Sequence, residues 1–126
     1  MREILKVHME IIPASKMRPK SSGGWGDYWL DADGVLQIRA VEFPDLMFSH
    51  YVLLHEYMEA VRCARDGVDY AAIDKWDAEH PITEAEPEPG GIEGAPYFVQ
   101  HAQSMALERL ACEQDGKDFD HYPGPL

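Results

Sequence analysis

Residues 46–66 read LMFSHYVLLHEYMEAVRCARD, and the period of this stretch decides the fold class. Apolar residues recur every three or four positions, which is the spacing of a helix with one buried face, and Gly67 supplies the stop. Phe48, Val52, His55, Glu59 and Cys63 fall on one stripe of that helix, with His55 and Glu59 one turn apart. A carboxylate on the inward face needs a partner, because burying it alone is costly.

Upstream the pattern is that of strands. Residues 3–12 (EILKVHMEII) read as a strand ending before Pro13, and 14–26 as a polar, glycine-rich loop. Two β-prone runs, 28–30 and 35–43, flank Asp31-Ala32-Asp33-Gly34, and Asp-Gly between such runs signals a hairpin. On the second run Leu36, Ile38 and Ala40 share one face, with Gln37 and Arg39 on the other. Downstream, a second helix is expected over 69–79, with Asp69 as its N-cap and His80-Pro81 closing it. Residues 81–94 (PITEAEPEPGGIEG) read as an acidic surface loop outside the core. A third helix is expected over about 96–114, with Gly116 past its end, and 117–126 as an irregular tail. Strands followed by helices make a single α+β domain over 1–126, with an N-terminal antiparallel hairpin packed against about three helices. This order of elements is also that of small zincin-like folds.

Charge narrows the function classes. The 11 Lys and Arg stand against 23 Asp and Glu, a net charge of −12, and such a field repels phosphate backbones and attracts cations. Nucleic-acid binding is therefore not expected. No run approaches the roughly 18 apolar residues of a membrane span, and the charges in MREILKVH do not suit a signal peptide. Cys63 and Cys112 both sit within helical patterns and read as core thiols, which fits a reducing cytoplasm. Two motifs fail on inspection. With Gly34 as the sixth position of a calcium loop, Trp29 and Ala40 would occupy positions that require carboxylates. The run SSGGWG lacks the Gly-Lys-Ser/Thr ending of a phosphate loop.

Polar residues on buried helix stripes remain as the chemistry-bearing groups. Besides His55 and Glu59, the third helix aligns Phe98, His101, Met105, Glu108 and Cys112, and the second aligns Tyr70, Ile73 and Asp77 with Asp74 beside them. A divalent cation held by imidazole and carboxylate compensates such a cluster, with zinc first and manganese, iron or magnesium as alternatives. The other reading is a hydrogen-bonded polar core in which Arg62, Arg65 or Arg109 pairs the acids. His8, His50, His80 and His121 read as surface or loop residues.

The string His55-Glu56-Tyr57-Met58-Glu59 resembles the H-E-x-x-H helix of zinc metallohydrolases, with Glu59 at the second ligand position. The resemblance implies His55 and Glu59 as ligands and Glu56 as general base. His101 joins as a third ligand, and Asp77 as a fourth or as an acid behind the ligands. An overlapping pattern, Glu56-x-x-Glu59 followed by Asp74-x-x-Asp77, resembles the paired acidic motifs of all-α nucleoside triphosphate pyrophosphohydrolases, which hold magnesium.

Across nearly the whole chain the landmarks also resemble a family of small uncharacterised phage and prophage proteins. They are Ile12-Pro13, Gly26-Asp27-Tyr28, Leu54-His55-Glu56 with Glu59-Ala60, Trp76-Asp77, Ala95-Pro96-Tyr97, His101 and Glu108-Arg109-Leu110. Tyr57 and Met58 stand where relatives carry Leu or Val. That resemblance implies a bacterial cytoplasmic setting and no activity. The expectation is a divalent-metal-binding protein, and a metal-dependent hydrolase of a small molecule or protein. Its rivals are a magnesium-dependent pyrophosphohydrolase and a non-enzymatic accessory protein.

Overall fold

Asp31 organises the hairpin from its own side chain. Its Oδ1 accepts from the backbone N–H of Asp33 and Val35, both at 2.9 Å, and its Oδ2 from Gln37 Nε2 at 3.0 Å. These bonds replace backbone pairing that a tight turn cannot make. The flanking strands β2 (Gly26–Leu30) and β3 (Val35–Val41) accordingly pair antiparallel, with Tyr28 opposite Ile38. The computed structural model describes residues 3–18, 24–82 and 88–126.

Strand β1 (Lys6–Ile12) departs from the antiparallel arrangement expected above. It lies on the other side of β3 and runs parallel to it, so the sheet is mixed, in the order β1-β3-β2. A hairpin loop allows only antiparallel neighbours, whereas the long 13–25 connection can carry the chain past β3 to its far edge. Leu36, Ile38 and Ala40 of the central strand are fully buried on the helix side. The opposite face is more polar. There the Arg18 and Arg39 guanidiniums lie 4.5 and 5.0 Å from the Trp29 ring centre, and Arg18 Nε pairs with the buried Asp27 at 2.6 Å.

Helix α1 (Leu46–Arg65) is started by Asp45, whose side chain accepts from the Met47 N–H at 3.0 Å. Ser49 ties the helix to the end of β3, accepting from Phe43 N and donating to the Val41 carbonyl. Helix α2 (Tyr70–Glu79) is capped in the same way by Asp69. Helix α3 (Phe98–Gln114) packs along α1. It begins slightly later than expected, and Phe98 is exposed, so the buried stripe runs through His101, Ser104, Glu108 and Cys112. The fold is α+β, and none of the described helices is long and apolar enough to cross a membrane.

Two segments are better anchored than their composition suggests. The second half of the acidic loop forms a 3-10 turn, Pro89–Gly91, in which Pro89 and Gly90 are buried and the Pro89 carbonyl accepts from Trp76 Nε1 at 2.8 Å. The expected place outside the core is therefore corrected at Pro89 and Gly90, whereas Glu88, Gly91, Glu93 and Gly94 are exposed and 83–87 lie outside the described residues. The 117–126 segment is irregular yet docked. The Tyr122 ring packs on Trp25, Phe43, Phe48 and Phe119, and the Leu126 N–H donates to the Glu42 carbonyl at 2.8 Å.

Candidate metal centre

The helical repeat brings His55 and Glu59 onto one line of α1, and the facing stripe of α3 brings His101 against them. His55 Nε2 lies 3.0 Å from Glu59 Oε2 and 3.3 Å from His101 Nδ1, and His101 Nδ1 lies 2.9 Å from Glu59 Oε2. All three residues are buried, and theirs is the one group of metal-ligand type found among the described residues. Donor atoms about 3 Å apart suit a divalent ion with bonds of roughly 2 Å, so a group of this size could hold one.

A second ring of contacts orients the three. The Nδ1 of His55 faces Glu108 Oε1 at 2.7 Å, which leaves Nε2 directed at the cluster. The other Glu108 oxygen accepts from the Tyr122 hydroxyl at 2.5 Å. Glu59 Oε1 accepts from the Tyr28 hydroxyl at 2.8 Å. Behind His101, Glu88 Oε2 is 3.3 Å from Nε2, close enough to pair charges but not aligned for a hydrogen bond.

Asp77 stands outside this group. It is buried and lines the same cavity, but its carboxylate accepts from the Tyr97 hydroxyl and lies outside the cluster. Glu56 lines the cavity too. A Cβ on Gly26 would lie 2.6 Å from its Oε1, so only glycine lets the Glu56 side chain rest against β2. The cavity measures about 320 Å³, with Trp25, Val52, Met105 and Phe119 among its apolar walls. Asp74 stands apart, half-exposed, 3.6 Å from Arg18. His8, His80 and His121 bond locally to Glu10, the Trp76 carbonyl and Asp118. Burial pushes the Cys63 thiol up to about 12, in keeping with a core thiol.

The residues that spacing did not reveal are Tyr28, Glu88, Gly90 and Tyr122. Gly90 leaves room for the His101 ring. A Cβ there would lie 2.6 Å from His101 Cγ and 2.7 Å from Nδ1, the atom that faces the cluster. Gly90→Ala is expected to push the imidazole off line and weaken zinc binding by about 10- to 100-fold, the usual loss when a ligand's support is disturbed. Competition against a chromophoric chelator measures this, and unchanged affinity would mean that the turn does not set the His101 position.

Without metal the cluster is an imidazolium–carboxylate network. Burial opposes charge on His55, but Glu108 and Glu59 outweigh it and hold the ring well above its ordinary value. Burial likewise opposes charge on His101, yet Glu59 and Glu88 raise it to about 9. Glu59 is driven up by burial and further down by the two histidines, ending at about 2. The His101 contribution to metal-free stability is complete below its ordinary 6.5 and is lost as pH rises through 9. That of Glu59 is present above 4.5 and lost as pH falls through 2. Metal must displace the imidazolium protons, so its stabilisation grows over the interval in which the metal-free network weakens. Between pH 6.5 and 9 the Tm in chelator should fall while the zinc-induced rise in Tm increases. A zinc effect that is flat with pH would remove the histidines from the ligand set.

Comparison of the chain with protein-family models, curated proteins and solved structures finds no match.

Proposed function

We propose that this protein is a metal-dependent hydrolase whose metal, zinc in the first instance, is held by His55, Glu59 and His101. The observation that supports this reading most is the convergence of three donor atoms within 4.8 Å of one another in a cavity that also holds an acid on the same helix, Glu56. A divalent ion held there would supply Lewis acidity and activate water near neutral pH. Glu56 takes the proton of the attacking water and returns it to the leaving group. Glu108 and Tyr122 keep the His55 imidazole oriented. A bacterial setting belongs to the same proposal and rests on the resemblance of the sequence landmarks to those of phage and prophage proteins.

The magnesium-dependent pyrophosphohydrolase has less support. Its four acids would have to gather, yet Asp74 pairs with Arg18 at the surface, Asp77 accepts from Tyr97, and Glu59 is engaged by two histidines. Elemental analysis of the purified protein, followed by zinc, manganese and magnesium titrations and by peptide, ester and nucleotide hydrolysis panels, tests the proposal. One zinc per chain with turnover supports it. One zinc with no turnover on any panel favours a structural metal centre, and failure to bind any of the three ions overturns the metal reading.

A further inference from the structure

The two oxygens of Glu59 have different surroundings. Oε2 faces both imidazoles, at 3.0 and 2.9 Å, whereas Oε1 is turned away and accepts from the Tyr28 hydroxyl at 2.8 Å. Both residues are buried. The phenol is itself held from two sides. Its backbone is fixed in β2 opposite Ile38, and its ring meets Tyr70 edge-on at 5.4 Å between centres. Tyr70 is in turn anchored to α1 through its hydroxyl, which donates to the Ala60 carbonyl at 2.7 Å.

A carboxylate near a divalent ion can bind through one oxygen or both. Bound through both, Glu59 would bring the protein donors to four, and with the water of a catalytic zinc site the ion would become five-coordinate. A hydrogen bond to the outer oxygen opposes that rotation. We propose that Tyr28 is a positioning residue that holds Glu59 to one-oxygen ligation and so keeps the ion four-coordinate, with the fourth position left to water. This rests on the metal-centre reading above and adds to it a cause for the open position. Hydrogen bonding here acts on coordination number as well as on stability.

Cobalt(II) replaces zinc and reports geometry, because four-coordinate cobalt absorbs several-fold more strongly in the visible than five-coordinate cobalt. The wild type is expected to bind one cobalt with intense four-coordinate bands. Tyr28→Phe, which removes only the hydroxyl, should still bind one cobalt but lose several-fold in band intensity as Glu59 turns to bind through both oxygens. A residue that served only packing would change the Tm and leave the spectrum alone, so an unchanged spectrum overturns the proposal. Zinc X-ray absorption on the wild type gives a second reading that needs no variant. Four light-atom neighbours at about 2.0–2.1 Å support one-oxygen ligation, and an additional oxygen shell from Glu59 overturns it. Failure of the wild type to bind either ion marks the metal reading itself as wrong, a result distinct from a metal-bound Tyr28→Phe with unaltered bands.

Discussion

His55→Ala is expected to abolish stoichiometric zinc binding and with it the whole zinc-induced rise in Tm. Metal present at a thousand times its Kd contributes about 4 kcal/mol to the folded state. For a chain of this size that is on the order of 10–15 °C. The variant should show no such rise at any zinc concentration that saturates the wild type. Its metal-free form will not be silent. His55 bridges Glu59 and Glu108, and its loss leaves two buried carboxylates without their shared imidazolium. The decisive quantity is therefore the difference between zinc and chelator for each protein, measured by calorimetry alongside elemental analysis. A variant that keeps the full zinc-induced rise would show that His55 is an ordinary core histidine.

The second large effect separates chemistry from binding. Glu56→Gln preserves shape and polarity and removes the ability to take a proton, so kcat should fall by about a hundred- to ten-thousandfold. Zinc content and Tm should stay close to wild type, because Glu56 lines the cavity without belonging to the ligand triangle. Single-turnover hydrolysis with whichever panel substrate the wild type accepts provides the rate. Weaker metal binding in Glu56→Gln would place the residue among the ligands and favour a magnesium site. Unchanged turnover would assign proton transfer elsewhere.

The parts of the site that lie on helices were legible from spacing, and the parts on strands and loops were not. His55 and Glu59 are separated by one helical turn, so any helix over 46–66 puts them together. His101 and Glu108 follow from the inward stripe of α3, although nothing in their spacing said that this stripe would face the one on α1. Tyr28 lies in β2, where alternation assigns it a face but no partner. Glu88, Gly90 and Tyr122 come from irregular segments that carry no period, and their roles arise from tertiary docking alone. The same reason explains Asp77. Its helix stripe was read correctly as inward, but its carboxylate met a tyrosine rather than the cluster. The parallel placement of β1 against β3 is a pairing between strands far apart in the chain, which strand patterning does not encode. The local signals at Asp31, Asp45 and Asp69 act within a few residues of themselves, and that makes turns and helix starts readable where long-range pairings are not.

The two histidines of the cluster are 46 residues apart in the chain. An ion joining them would close that loop as a disulfide closes one, but reversibly and without oxidation. In the chain-entropy description a cross-link over such a span removes about 4 kcal/mol worth of freedom from the unfolded ensemble. Half of the clasp is formed in advance, since His55 and Glu59 come together as soon as α1 winds. Only the closure onto α3 draws on long-range order. The centre would thus serve as a removable staple between the two helices that carry the cluster.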